Sequence, residues 1–497
     1  MKPKESIKKT ILSLDLGVAD FSVEHPADEN HGDYAVNVAL VLFSNAPSNP
    51  PLNLRGGRGS YKNPRELAEE IVERLKKDKE LGKSFDLERI EIAGPGFINF
   101  WLKKEWLVEE LKRSVELGSD YGKGNWNKDK KVMVEFTDPN PFKEFHIGHL
   151  MSNSIGESLS RLIEFSGANL KRVCYQGDVG MHVAKSVWGW KKKMTDEKIT
   201  VDDLLKKSLE ERVHYLGQAY AVGSAEYEKD DKAKEEMNVL NKTIYGRTDE
   251  KIEKLYLTGR QWSLDYFEMI YQKLGTKFDY YFFESEAGDK GKKLVEEYTK
   301  KNVFEVSDGA TVFRGEEYGL HTRVFLNSLG LPTYEAKELA LSKMKNDKFE
   351  YDWSVVVTGN EINAYFKVLL TVMRMIYPSL AKKTTHIGHG MLRLTTGKMS
   401  SRTGKVMTGE SLINDAREEI KKKSEGKVDD ETNTAVAVSA IKFGVLRQSP
   451  GKNIVFDFAK SLSVEGDSGP YLLYTNARAL SVLSKSKSDG EIKSDSF

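Results

Sequence analysis

Two histidines stand where a predicted β-strand ends and a predicted α-helix begins, and this junction constrains the fold more than any other feature of the sequence. Residues 130–137 (KKVMVEFT) are apolar and β-branched, which is typical of a buried strand. A loop that contains Pro139 and Pro141 follows, and residues 146–149 (HIGH) then begin a helical pattern that ends at Gly167. A second strand-like segment, LKRVCY, comes next. The order of these segments predicts a βαβ unit of a parallel sheet.

Composition narrows the class of protein. The chain has 497 residues, enough for two to four domains, and its net charge of +1 gives no overall positive field for nucleic acid. Cys174 is the single cysteine, which excludes an intrachain disulfide and the paired-cysteine zinc sites. No apolar run approaches the ~18 residues of a membrane span, and the N-terminus lacks the apolar stretch of a signal peptide. A cytoplasmic protein that does not bind membranes is expected.

Changes of pattern along the chain predict three regions. Residues 1–112 are interpreted as a separate α+β domain. Residues 127–410 are interpreted as the domain of the parallel sheet, with a helical, highly charged insertion at about 191–301. Residues 430–497 begin a helical domain, and a polar, disordered tail is expected from about residue 484.

The alternation of elements predicts the fold class. After the charged insertion, a helical pattern contains Leu339 and Leu341, and strand-like apolar runs resume at residues 353–357 (WSVVV). Strands that alternate with helices are typical of a doubly wound parallel sheet, which is an α/β fold.

The histidines at the start of the predicted helix suit phosphate binding. A helix N-terminus presents unpaired N–H groups and a partial positive charge, and His146 and His149 are three residues apart on one face of the helix. Gly148 leaves room for an adenine ring, and Lys143 adds a positive charge. The sequence has neither the Walker A spacing nor a GxGxxG after a strand. Considered alone, two such histidines are as often helix caps or partly buried residues as ligands.

A second segment, TTGKMSSRTGK at residues 395–405, has the character of a mobile cationic lid. Gly397 and Gly404 bracket a short loop that carries Lys398 and Arg402. Such a loop can close on a triphosphate and stabilise developing negative charge. Alone it is explained equally well as a solvated basic loop. Its order and separation from the two histidines favour a nucleotide site.

The two motifs together resemble those of class I aminoacyl-tRNA synthetases, and their flanking residues resemble the arginyl-tRNA synthetases. The resemblance is carried by VEFTDPNPFKEFHIGHL, YQGDVGMHVAK, RQWSLDYF, DGATVF, LPTYEAKELAL, GKMSSRTG and GPYLLYTNAR. HGDYAVNVAL and IAGPGFINFWL resemble that family's N-terminal domain. The resemblance covers nearly the whole chain. It implies a Rossmann-like catalytic domain, a small α+β domain that contacts tRNA, and the start of an α-helical anticodon-binding domain.

The resemblance also implies roles for residues of the nucleotide site. The ATP-binding residues implied are His146, Gly148, His149, Lys398, Met399 and Ser400, and the catalytic residues implied are Lys143, His146, His149, Lys398 and Arg402. The loop at 395–405 departs from the family pattern, because Ser401 stands where a second lysine is common. A lysine just before the first motif compensates in family members that lack this lysine, and Lys143 fills that position.

The arginine-binding residues that the resemblance implies are Glu135, Asn140, Tyr334, Glu338, Asn360 and Asn363. Glu135 and Asn140 would hold the α-amino group and its neighbouring atoms. Tyr334 and Glu338 would bind the guanidinium, and their spacing of four places them on one face of a helix. Many family members have aspartate in place of Glu338. A glutamine of the family is absent from the matching segment, where Asn360 or Asn363 is the expected substitute.

The function implied is ATP-dependent ligation of L-arginine to tRNA(Arg) through an arginyl-adenylate, with release of AMP and pyrophosphate. ATP would bind with Mg²⁺, for which the sequence shows no dedicated site, and the protein is expected to be a monomer. Two alternatives stay open. One is a truncated or non-catalytic tRNA-binding relative with impaired charging, because the helical region after residue 430 is short for this family. The other is a small-molecule nucleotidylyltransferase, which shares the HIGH-type motif but has a shorter chain.

Overall fold

The computed structural model describes residues 3–18, 20–44, 61–78, 87–394, 408–449 and 451–486. The chain divides into two compact units, one containing Met1–Gly122 and the other Lys123–Ser486. The loop at 395–405, with Lys398, Met399, Ser400, Ser401 and Arg402, lies outside the described residues. Every helix within the described parts of the chain is too short or too polar to cross a membrane.

The first unit is an α+β structure. Its elements are α1 (Pro3–Ser13), β1 (Val23–Glu24), β2 (Tyr34–Val36), α2 (Val38–Ser44), α3 (Pro64–Lys77), β3 (Leu87–Ala93), β4 (Phe97–Leu102) and α4 (Lys104–Leu117). The strands form an antiparallel sheet in the order β1-β2-β4-β3. Helix α3 begins where the Asn63 side chain accepts a hydrogen bond from the Glu66 N–H. The apolar face of α3, with Ile71 and Leu75, shares a buried core with Phe100 of β4.

The second unit alternates strands and helices. Its first elements are β5 (Lys131–Glu135), α5 (Ile147–Phe165), β6 (Asn169–Gln176), α6 (Met181–Glu197), α7 (Val201–Leu205), α8 (Leu209–Lys229), α9 (Asp231–Gly246), α10 (Glu250–Leu274), β7 (Tyr280–Phe283) and α11 (Glu284–Thr299). The segment at about 191–301 was expected to be a helical insertion, but β7 within it pairs in parallel with β6. Then follow β8 (Glu305–Ser307), β9 (Ala310–Phe313), β10 (Arg323–Leu326), α12 (Tyr334–Lys348), β11 (Trp353–Gly359), α13 (Asn363–Ile376), α14 (Pro378–Lys383), β12 (Thr384–His389) and β13 (Leu392–Leu394). The last elements are α15 (Gly409–Lys423), α16 (Asp430–Leu446), β14 (Ile454–Phe456), α17 (Phe458–Ser461) and α18 (Gly469–Lys485).

A parallel sheet of five strands, in the order β12-β11-β5-β6-β7, is the centre of this unit. Helices cover both of its faces. On β5, Val132 and Val134 are buried with Leu150 of α5, and the intervening Met133 is buried with Leu339 of α12. This two-sided burial explains the nearly continuous apolar run of the strand. The predicted βαβ unit and the α/β fold class are confirmed.

One sheet was not predicted from the sequence. Strands β8, β9 and β10 form a separate antiparallel sheet, whereas strand-like patterns were expected to resume only at residues 353–357. These strands have three or four residues each, and Glu305 and Val306 are both exposed. Strands this short contain too few residues to show an apolar alternation, so no periodic signal reveals them.

Candidate active site

A cavity of about 760 Å³ opens at the edge of the five-stranded sheet where the parallel strands end. This is the edge at which ligands bind in open α/β sheets. Among the described lining residues, six carry carboxyl groups, namely Glu135, Asp138, Glu284, Glu335, Glu338 and Glu361, and one, Arg323, is permanently cationic. The Arg323 guanidinium lies 3.7 Å from Glu335. A cavity with this excess of carboxyl groups suits a cationic ligand.

The start of α5 presents two imidazoles to this cavity. His146 is the N-cap residue, and its Nδ1 accepts a hydrogen bond of 3.1 Å from the Gly148 N–H. His149 Nδ1 accepts one of 3.2 Å from the His146 N–H. Because each Nδ1 is an acceptor, the proton of each neutral ring sits on Nε2. Burial lowers the pKa of both histidines, and the nearby Lys143 charge lowers it further, so both rings are neutral at pH 7.

Strained backbone joins β5 to this helix. Thr137, Asp138 and Phe142 have positive φ angles of 82°, 46° and 66°, which side-chain-bearing residues rarely adopt. Hydrogen bonds of 2.9 Å hold the loop, from the Thr137 N–H to Ser152 Oγ and from the Phe142 N–H to Ser263 Oγ. Such strain persists only where the surrounding structure imposes it, and it is concentrated at functional sites.

Two buried ion pairs neutralise carboxylates of the cavity. Lys345 Nζ lies 2.6 Å from Glu135 Oε2, and Lys337 Nζ lies 2.6 Å from Glu284 Oε2. All four side chains are at most 5% exposed. Both lysines belong to α12, whereas Glu135 ends β5 and Glu284 directly follows β7. The helix therefore supplies permanent cations to the strand ends.

The carboxyl group of Glu338 is not paired in this way. Burial and the neighbouring Glu135 charge raise the pKa of Glu338 to about 8, and the same two causes raise the pKa of Asp138 well above its usual value. Glu338 is therefore largely protonated at neutral pH in the ligand-free protein. A cation bound beside it would favour its ionised form.

The structure brings together most of the sequence-predicted site residues that it describes. Those that line the cavity are Glu135, Asn140, His146, Gly148, His149, Tyr334 and Glu338. Lys143 lies beside the cavity, with its Nζ 4.7 Å from the ring centroid of Tyr220. A Cβ on Gly148 would lie 3.0 Å from the His146 ring, so any other residue at this position would press on that ring.

Asn360 and Asn363 are placed differently from the expectation. Asn360 lies in a single 3-10 turn and Asn363 begins α13 with its Oδ1 against the backbone of Gly388. In this part of the cavity wall the described lining residues are instead Glu361, Ile362, Tyr365 and Phe366. Neither Asn360 nor Asn363 is among the described lining residues, so the role of either as a substitute for the family's glutamine stays a prediction.

Sequence reasoning missed several groups at this site. Glu284 and Asp138 line the cavity, and Lys337 and Lys345 pair with its carboxylates. A signal existed for Glu284, because it directly follows the strand-like segment YYFF and so lies at the carboxyl end of a parallel strand. The two lysines belong to a helix rich in charged residues, where nothing local distinguishes a buried lysine from a solvated one.

Known structures share this fold. Arginyl-tRNA synthetase from Thermus thermophilus superimposes with a TM-score of 0.69 at 22% identity, covering 98% of this chain and 83% of that one. The enzyme from Plasmodium falciparum gives a TM-score of 0.68 at 21% identity, covering 98% of this chain and 81% of that one. At this level of identity the similarity establishes the fold.

Sequence comparison identifies the family. Residues 115–458 match the family described as tRNA synthetases class I (R), catalytic domain, and residues 2–102 match the arginyl tRNA synthetase N terminal domain. The arginine–tRNA ligase of Clostridium kluyveri is 31% identical over 97% of this chain and 80% of its own length. That of Clostridium acetobutylicum is 30% identical over 98% of this chain and 81% of its own length. The chain belongs to the arginyl-tRNA synthetase family of class I aminoacyl-tRNA synthetases.

Proposed function

We propose that this chain catalyses the ATP-dependent ligation of L-arginine to tRNA(Arg) through an arginyl-adenylate, with release of pyrophosphate and AMP. The observation that supports this best is the pairing of two chemistries in one cavity. Helix α5 brings the neutral histidines His146 and His149 from one face of the sheet, and α12 brings Tyr334 and Glu338 from the other. A phosphate-binding helix start thus meets a carboxyl-rich pocket. A non-catalytic relative is not favoured, since relatives matched over nearly the whole chain are arginine–tRNA ligases.

In the first step the arginine carboxylate attacks the α-phosphorus of ATP in line. A carboxyl oxygen–phosphorus bond forms, and the bond from the α-phosphorus to the pyrophosphate oxygen breaks. The Nε2–H groups of His146 and His149 would donate hydrogen bonds to phosphate oxygens, and Lys143 would offset the negative charge that develops. Lys398 and Arg402 are proposed to act with them from the loop at 395–405. Catalysis then consists of positioning and charge stabilisation, without a covalent enzyme intermediate.

Arginine would be recognised by charge at both ends. Tyr334 and the Glu338 carboxylate would bind the guanidinium, and Glu135 with Asn140 would hold the α-amino group. A hydrogen bond to a charged group contributes roughly 1.5–3 kcal/mol. A shorter or differently shaped cation would leave the buried Glu338 carboxylate unpaired, which supports discrimination of roughly 10⁴-fold.

The arginyl group is then transferred from the adenylate to the terminal ribose of tRNA(Arg), and AMP leaves. We propose that Mg²⁺ accompanies ATP and is held by phosphate oxygens. In the parts of the chain that the structure describes, no cluster of three or more His, Cys, Asp or Glu side chains could hold a metal ion. We also propose that the enzyme is a monomer and is located in the cytoplasm.

Arginine-dependent exchange of pyrophosphate into ATP tests this function. The assay is run with and without full-length tRNA(Arg), since the family usually needs tRNA for activation. Exchange is expected with arginine and not with citrulline, an isostere that lacks the guanidinium charge, or with lysine. Exchange that fails with arginine even in the presence of tRNA would overturn the proposal.

A further inference from the structure

We propose that Lys345 is a positioning residue of the arginine site, which holds the Glu135 carboxylate in the orientation that receives the α-ammonium group of the substrate. This inference rests on the proposed function and deepens it. It assigns a role to a side chain that does not itself line the cavity among the described residues.

The geometry of the ion pair supports this role. Lys345 lies in the last turn of α12, and its Nζ donates a hydrogen bond of 2.6 Å to Oε2 of Glu135. The two side chains are 2% and 3% exposed. Glu135 ends β5 and lines the cavity, so the pair fixes one carboxylate oxygen and leaves Oε1 for a ligand. A buried lysine held this way orients the carboxylate without competing for the cavity.

The surroundings explain why Glu135 needs a cation. The carboxyl groups that face it are Asp138, in the loop after β5, and Glu338, on α12. The other titratable groups near it are Cys174, Tyr175, Tyr351 and Tyr365, which burial keeps neutral by raising the pKa of each. Of the described groups around Glu135, Lys345 supplies the positive charge. Without Lys345, the buried Glu135 carboxylate would have no cationic partner among the described residues.

Helix α12 connects the two ends of the substrate site through this pair. Tyr334, Glu338 and Lys345 are separated by four and seven residues, which places them along one face of the helix. The first two line the cavity directly, while Lys345 acts through Glu135 on the sheet. One helix therefore carries the residues that would bind the guanidinium. Through Lys345 it also positions Glu135, which would bind the α-amino group.

The test is the Lys345→Met variant, measured by arginine-dependent pyrophosphate exchange. We expect the KM for arginine to rise about 10- to 100-fold at pH 7, as for loss of one charged hydrogen bond, with the KM for ATP within about twofold of wild type. An unchanged KM for arginine, or a defect that raises both KM values equally, would overturn the inference.

Two further variants keep the test decisive if Lys345→Met folds poorly. Lys345→Arg retains the charge, so it should raise the KM for arginine only a few-fold. Glu135→Gln removes the carboxylate that Lys345 holds, so adding Lys345→Met to it should have little further effect. A large additional loss in the double variant would show that Lys345 acts independently of Glu135.

Lys442→Met is the matched control. Lys442 is a partly buried lysine of α16 whose Nζ donates to the Leu274 carbonyl, away from the cavity lining. Its loss should leave both KM values unchanged. Failure of the wild type to exchange with arginine refutes the proposed function itself, whereas an active wild type with an unaffected Lys345→Met variant refutes only this inference.

Discussion

The imidazole rings of His146 and His149 are stacked at the start of α5, with centroids 3.5 Å apart and planes 22° from parallel. Each ring accepts a backbone N–H at Nδ1, which leaves Nε2–H as its donor. The stack also explains the glycine between them, because a side chain on Gly148 would press on the His146 ring. The helix start thus orients two neutral donors at the expected phosphate site.

The His149→Ala variant should lower kcat/KM for ATP in the exchange assay by about 10²–10³-fold, as for loss of one preorganised donor to a developing oxyanion. Arginine affinity should change little. The exposed His321 supplies the control, and His321→Ala should exchange as the wild type does. Normal ATP kinetics in a folded His149→Ala protein would remove this histidine from the mechanism.

Arginine binding should strengthen as the pH is raised from about 6.5 to 8.5. The pKa of Glu338 is about 8 in the ligand-free protein, so the Glu338 carboxyl group is protonated in most molecules at pH 7. Binding of a guanidinium beside it must therefore release this proton. Below pH 8 the dissociation constant should fall up to about tenfold per pH unit and level off above. Calorimetry in two buffers of different ionisation enthalpy counts the protons released.

The Glu338→Gln variant separates this carboxyl from its neighbours. It should lose the pH dependence of arginine binding and lower kcat/KM for arginine by about 10²–10⁴-fold, with ATP binding nearly unchanged. If proton release persists in Glu338→Gln, the titrating group is a different one, with Asp138 as the next candidate.

Lys143→Met should lower the rate of adenylate formation about 10²-fold, because Lys143 is a cation whose charge acts on both histidines. A second readout is the pKa of His146, which the Lys143 charge lowers, so removal of the lysine should raise this pKa in an NMR titration. Tyr220→Phe keeps the ring beneath the Lys143 Nζ and serves as the control. An unchanged rate would assign the compensating charge to another residue.

Gly189→Ala should destabilise the protein by about 1–3 kcal/mol, which is typical of overpacking. Helices α6 and α8 cross so closely that a Cβ on Gly189 would overlap the Ala219 carbonyl oxygen. Gly217→Ala, on α8, is the matched control, because the Cβ at this position would meet only the flexible Glu144 side chain at 3.1 Å. When urea unfolding is followed by circular dichroism, the unfolding midpoint of Gly189→Ala should be lower than that of the wild type, and the midpoint of Gly217→Ala should equal that of the wild type.

The sequence was informative where the signal is local. Strand β5, helix α5 and strand β6 were predicted from apolar periodicity and from turn residues, because these features act within a few residues of one another. The family's motifs then identified Glu135, Tyr334 and Glu338, all of which line one cavity. Strands β8 to β10 escaped prediction because three or four partly exposed residues have no detectable period.

Sequence by itself determined the fold class, the family and the residue types of the site. Only the tertiary structure decided which of these charges are neutralised and which remain titratable. Glu135 and Lys345 are 210 residues apart in the chain, and Glu284 and Lys337 are 53 apart, yet each pair is in direct contact. Such partners are brought together by packing α12 against the strand ends. Burial then raises the pKa of Glu338, a property of its surroundings that no local pattern contains.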